Sequence, residues 1–84
     1  MEQAELEQRL KKLLVERVGV QAAKITPEAS LAEDLGLDSL DGVELAMAME
    51  EEFDLQIDDK ELRGLTTVQQ ALDFVQQRLV EKPA

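Results

Sequence analysis

The sequence contains no cysteine, histidine, tryptophan or tyrosine among its 84 residues. Without cysteine the chain can form no disulfide and no thiolate metal site, so any thiol chemistry has to come from an attached group. Without histidine it lacks the usual general acid or base of neutral pH. No apolar run is long enough to span a membrane, and no signal peptide is recognisable. We therefore expect one small domain over residues 1–84, a soluble cytoplasmic monomer.

Basic residues are scarce in the middle of the chain. The 19 acidic residues outnumber the 9 basic ones, and residues 28–59 hold twelve acidic side chains and no basic one. The negative electrostatic field of this acidic segment repels nucleic acid and anionic membranes and attracts basic protein surfaces. A surface that only keeps a protein in solution has no need to cluster its charge, so the pattern favours docking to a basic partner.

Hydrophobic periodicity predicts an all-α fold, a four-helix bundle with three main helices, one short helix and a long first loop. The first helix spans residues 3–17 and ends at Gly19. Its core-facing residues are Ala4, Leu6, Leu10, Leu13, Leu14 and Val18. The loop over residues 19–38 contains one short turn at 26–28, capped by Thr26. Its apolar anchors are Ile25, Leu31, Leu35 and Leu37.

The last part of the chain is predicted to hold the short helix and the final long one. Asp58 caps the short helix with Glu61 as the answering side chain, and Gly64 ends it. Thr66 or Thr67 caps the final helix. The buried residues of that helix are Val68, Ala71, Leu72, Val75 and Leu79. Residues 82–84 are expected to be a frayed end.

A loop followed by a helix start surrounds one serine, Ser39. Gly36 supplies the backbone freedom for a turn. Asp38 is a good N-cap residue, and Asp41 three positions later can complete a variant of the capping box. Ser39 then takes the first helical position, where the helix dipole favours anions. A phosphate esterified to its hydroxyl would be stabilised there.

The second helix, over residues 39–53, has apolar residues on two separate faces. At about 100° per residue, the wider group covers about 100° of the helix and the narrower one about 60°. We assign the wider group to the core, namely Leu45, Ala46, Met49 and Phe53. The narrower group, the apolar stripe, is then exposed between Glu44, Glu50 and Glu51, and it consists of Leu40, Val43 and Met47. An exposed stripe rimmed by charge is typical of a partner site, the alternative being that its first residues pack under the preceding loop.

The residues around Ser39 resemble those of an acyl carrier protein. The resemblance rests on residues 33–41, with the triplet Asp38-Ser39-Leu40 at their centre, and extends through residues 43–45, 50–54 and 65–69. In that family the serine carries a 4′-phosphopantetheine arm, which a separate transferase takes from coenzyme A, and the thiol of the arm holds acyl groups as thioesters. The resemblance implies that Ser39 is the attachment residue and that the chain is a carrier and not an enzyme. In its acidic second helix and its lack of a linker to a second module, the chain is most similar to the free-standing carrier of bacterial-type fatty acid synthesis.

The resemblance also implies a docking surface for acyl-handling enzymes with basic surfaces. The matching residues are Asp38, Leu40, Asp41, Val43, Glu44, Met47, Glu50 and Glu51. Two features depart from the family. Gly42 stands where a larger residue is common, and Lys60 and Arg63 bring positive charge to a helix that is often acidic.

Small or pliable residues predict an acyl pocket between the second and third helices, entered past Gly42. Its residues are Gly42, Ala46, Met49, Leu62, Leu65 and Ala71. The alternative is a tightly packed core with the alkyl chain on the surface. No stretch fits a calcium-binding loop, so no metal site is expected.

Two other functions are compatible with the sequence. The chain could be a dedicated carrier for a polyketide or another specialised acyl product, which the bound acyl group would reveal. It could also be an unmodified acidic helical adaptor that binds a basic protein. A chain that stays unmodified with coenzyme A and a carrier transferase would favour the adaptor.

Overall fold

The computed structural model describes residues 2–81 and confirms the all-α fold. Between these residues the chain forms helices α1 (Gln3–Leu13), α2 (Ser39–Phe53), α3 (Asp59–Arg63) and α4 (Val68–Glu81). The long helices α1, α2 and α4 enclose the core, whereas the five-residue α3 contributes no buried residue to it. No helix in this part of the chain has the length and apolar character needed to cross a membrane.

The first helix continues past its α-helical part as a π-helical turn over Leu14–Val18. Gly19 then takes a left-handed conformation with φ 86°, which glycine adopts without steric cost, and so ends the helix where the sequence predicted. The buried residues are Leu6, Leu10, Leu13 and Leu14. Ala4 was predicted to face the core and is exposed, because two residues before Leu6 it lies about 200° away around the helix.

The long loop is held against the start of α4 by backbone hydrogen bonds. Ser30 and Thr67 form an isolated antiparallel bridge, and the Leu31 amide donates to the Thr66 carbonyl at 2.9 Å. The turn at residues 26–28 is present, and a 3₁₀ turn at Ala22–Lys24 was not predicted. Of the four apolar anchors, Leu31 is buried and the others are partly buried against the core.

The core confirms the wider apolar group of α2. All four of its members are buried, together with Ala48, which the sequence analysis did not include. On α4 the predicted residues from Val68 to Val75 are buried, and Leu79 is partly buried. The two apolar faces of α2 therefore differ in their environment, with one face in the core and the other available to solvent.

The short helix α3 contacts α4 through Arg78, and the residues on either side of it, Leu55, Ile57 and Leu65, pack against the core. Asp58 and Glu61 form the predicted capping box at its start. Arg78 makes an ion pair with Glu61, donates to the Gln56 carbonyl at 3.1 Å and lies 4.8 Å from the centre of the Phe74 ring. The helix α3 has no buried residue of its own, so its position depends on the Arg78 contact and on its flanking residues.

Two threonines before α4 both contact Gln70, and one of them caps the helix. The Gln70 backbone amide donates to the Thr67 hydroxyl at 3.1 Å, and the Gln70 side-chain oxygen accepts from the Thr66 backbone amide at 2.8 Å. Thr67 is therefore the cap residue, one of the two alternatives that the sequence left open. The frayed end predicted for residues 82–84 lies outside the described residues.

Candidate functional site

The start of α2 presents Ser39 to solvent. The Asp41 amide donates to the Asp38 carboxylate at 2.9 Å and the Asp38 amide donates to the Asp41 carboxylate at 3.3 Å, so the predicted capping box is complete. Gly36, with φ 71°, makes the turn that leads into it. Ser39 is the first residue of the helix and is exposed, and its hydroxyl makes no hydrogen bond with any of residues 2–81. That hydroxyl is free to be modified.

The apolar stripe of α2 is exposed. Leu40 is 80% exposed, Val43 49% and Met47 51%. The alternative in which the stripe packs under the preceding loop is therefore wrong for Leu40 and, in large part, for Val43. Because exposed apolar side chains in one row are unfavourable in water, the stripe has the character of an interaction surface.

The acidic side chains beside the stripe are engaged within the molecule. Glu44 and Glu51 both face Arg17 at the end of the first helix, with Nη2–carboxylate distances of 3.8 Å and 3.1 Å. The Glu50 carboxylate accepts from the Ile57 amide at 2.9 Å and so supports the loop before α3. The Arg17 contacts were not predicted, because they depend on how the first helix packs against α2.

A cleft with a volume of about 660 Å³ lies beside Ser39. It is bounded by the long loop, the first turn of α2, α3 and the segment before α4. Of the six residues predicted to line an acyl pocket, Gly42, Leu62 and Leu65 line this cleft. The other three, Ala46, Met49 and Ala71, are buried and do not line it.

The remaining walls of the cleft were not predicted. They combine apolar side chains with a few charged ones, and include Leu31, Leu37, Leu45, Asp59 and Arg63. No group of three carboxylates in residues 2–81 is placed to hold a metal ion. The cleft therefore offers mainly apolar surface next to an exposed hydroxyl, which suits a flexible arm with an apolar cargo.

The sequence matches the family described as the phosphopantetheine attachment site over residues 8–75. The match covers the loop, α2, α3 and more than half of α4. The chain belongs to this family. Members of the phosphopantetheine attachment family bear 4′-phosphopantetheine as a covalent prosthetic group, so the chain is a carrier protein of the acyl or peptidyl type. The exposed serine and the adjoining cleft fit such a group.

Carrier proteins of this family interact with a modifying transferase and with enzymes that act on the carried group. When bound, the arm supplies a thiol that holds the cargo as a thioester. This explains how a chain without cysteine can take part in thiol chemistry. Carriers of the family are generally non-catalytic.

Proposed function

We propose that Ser39 is the residue that carries the phosphopantetheine arm. The observation that supports this most strongly is its free, exposed hydroxyl at the start of α2, inside the family match. The capping box starts α2 at Ser39, so the hydroxyl lies at the positive end of the helix dipole, where an attached phosphate is stabilised. No histidine exists in the chain to act as its base, which supports a carrier and not a catalytic serine.

Incubation with coenzyme A and a phosphopantetheinyl transferase tests the carrier function. We expect intact-mass spectrometry to show a gain of one phosphopantetheine group and no second addition. A chain that gains no mass with a transferase that loads a known carrier in the same tube would contradict the proposal and favour the unmodified acidic adaptor.

We propose further that residues 1–84 form one carrier domain that serves bacterial-type fatty acid synthesis in the cytoplasm. The acidic α2 and its exposed apolar stripe support this proposal. Lys60 and Arg63 are exposed on α3 and give that side of the molecule a mixed charge, which favours the second candidate, a dedicated carrier of a specialised acyl product. Mass spectrometry of the acyl group on the carrier purified from its native cells would separate the two.

The stripe and its acidic rim form the docking surface of this proposal. Val43 and Met47 would bury in a partner groove while Asp38, Asp41 and the three glutamates steer basic surfaces towards Ser39. Interfaces commonly combine an apolar centre with a charged rim, and the rim acts mainly on the association rate.

Reversing the charge of Glu44 should slow loading. An exposed ion pair contributes about 0.2–1 kcal/mol, and Glu44→Lys replaces an attraction with a repulsion, so kcat/KM for the transferase should fall about three- to tenfold. The matched control is Glu52→Lys, because Glu52 also lies on α2 and also pairs with an arginine of α1, Arg9, at 3.4 Å. Both variants should melt alike. An equal loss of loading in both variants would mean that only net charge matters.

The cleft is the proposed site of the acyl chain. It adjoins Ser39, and three of the predicted pocket residues already line it. Burying an alkyl chain there removes apolar surface from water, at about 0.8 kcal/mol per methylene. In the proposal α3 is the movable wall, since it is only five residues long and none of them is buried.

A further inference from the structure

We propose that Arg17 restricts which basic partners can dock, by occupying two of the acidic residues that the docking surface offers. This inference rests on the proposed docking function. Arg17 lies outside that surface, on the turn that ends the first helix, and reaches across to α2. Its guanidinium lies 3.1 Å from the Glu51 carboxylate, to which it donates a hydrogen bond, and 3.8 Å from that of Glu44.

The Arg17 contact changes what an approaching protein meets. Glu44 and Glu51 are partly neutralised, and the Glu50 carboxylate is bonded to the Ile57 amide. Among residues 2–81, Asp38, Asp41 and Glu50 have no cationic partner, although each accepts a backbone amide. Asp38 and Asp41 lie at the Ser39 end of α2, so a partner that only needs the first turn of the helix meets them without an intervening cation. A partner that uses Glu44 or Glu51 further along α2 has to displace Arg17.

The nature of the displacing group follows from the geometry. Arg17 reaches both carboxylates through a single nitrogen, Nη2, so a cationic side chain that brings one N–H group to the same place can replace it. The partners selected are thus basic proteins that present a lysine or an arginine to the middle of α2. The contact is weak enough to be displaced, because exposed ion pairs contribute little to stability.

Arg17→Gln tests the inference, with Arg9→Gln as the matched control. Both arginines lie on the first helical segment, have side chains 41% exposed and pair with a glutamate of α2, but Glu52, the partner of Arg9, lies outside the docking surface. Both variants change the net charge equally, so the long-range attraction between the chain and a basic partner changes equally. We expect kcat/KM of the transferase to be about two- to fivefold higher for Arg17→Gln than for Arg9→Gln. The ratio should fall towards one at high salt.

A second pair of variants separates displacement from other effects of Arg17. In the background Glu44→Gln with Glu51→Gln there is nothing to unmask, so adding Arg17→Gln should change kcat/KM no more than adding Arg9→Gln does. Equal rates for Arg17→Gln and Arg9→Gln, or a slower Arg17→Gln, would overturn the inference while leaving the carrier function intact. A wild-type chain that takes no arm would overturn the carrier function, and the inference with it.

Discussion

We expect the replacement of Ser39 with alanine to abolish loading of the phosphopantetheine arm and to leave the fold unchanged. The hydroxyl is exposed and makes no hydrogen bond with the described residues, so its removal breaks no contact. Alanine is the best helix former and suits the first helical position. We therefore expect the same circular dichroism and a melting temperature close to that of the wild type, with no mass gain from coenzyme A and transferase.

The second serine of the chain provides the control for this variant. Ser30 lines the same cleft, but its hydroxyl accepts a hydrogen bond from the Glu33 amide at 3.2 Å. Ser30→Ala should load fully and lose a little stability. A Ser39→Ala chain that still gains the mass of one arm would move the attachment site elsewhere, and Ser30 would be the first residue to examine.

A medium-chain acyl group on the arm should raise the melting temperature above that of the unacylated arm-bearing form. A chain buried only in the folded state stabilises that state, and each buried methylene contributes about 0.8 kcal/mol before the loss of chain entropy. For a domain of this size, 1 kcal/mol shifts the melting temperature by about 4–8 °C. Calorimetry on the two forms would measure the difference. Identical melting temperatures would favour a chain that lies on the surface.

Two substitutions at Gly42 separate filling of the cleft from other effects. Gly42 lines the cleft, and a Cβ there would meet no atom within 4 Å. Alanine and leucine both remove the helix penalty of glycine, about 1 kcal/mol, so both unacylated variants should melt higher. Only leucine occupies the space for the acyl chain, so the further rise on acylation should persist in Gly42→Ala and vanish in Gly42→Leu. A substitution at Ala46 would be less informative, because a larger residue there overpacks the core.

The fold was predictable from the sequence wherever a local rule decides the conformation. Helix α2 begins at the predicted residue because Asp38 and Asp41 cap its start through side chains only three positions apart. The burial of its wider apolar face followed from the helical spacing of its apolar residues alone. The π-helical turn at Leu14–Val18 was not predictable, since composition does not distinguish it from an α-helix. The 3₁₀ turn at Ala22–Lys24 also lacked a capping residue that would have signalled it.

The candidate site was only partly predictable because it depends on contacts between distant segments. The exposure of the apolar stripe could be inferred, as its members share one face of one helix. The partners of Glu44 and Glu51 could not, because Arg17 comes from another helix. The cleft walls were misjudged in the same way. Met49 has a flexible side chain, but helix packing places it in the core. The loop residue Leu31, which was not predicted, lines the cleft.

The bridge between Ser30 and Thr67 sets the order in which the site is completed during synthesis. The capping box before Ser39 uses neighbouring residues only, so its partners leave the ribosome together. The cleft forms later, because the loop that lines it is hydrogen-bonded to residues at the start of α4, which are synthesised after that loop. A nascent chain therefore exposes the proposed attachment serine before the proposed acyl site beside it has both of its walls. In the proposed function, a cargo can be sheltered only once the start of α4 has been made.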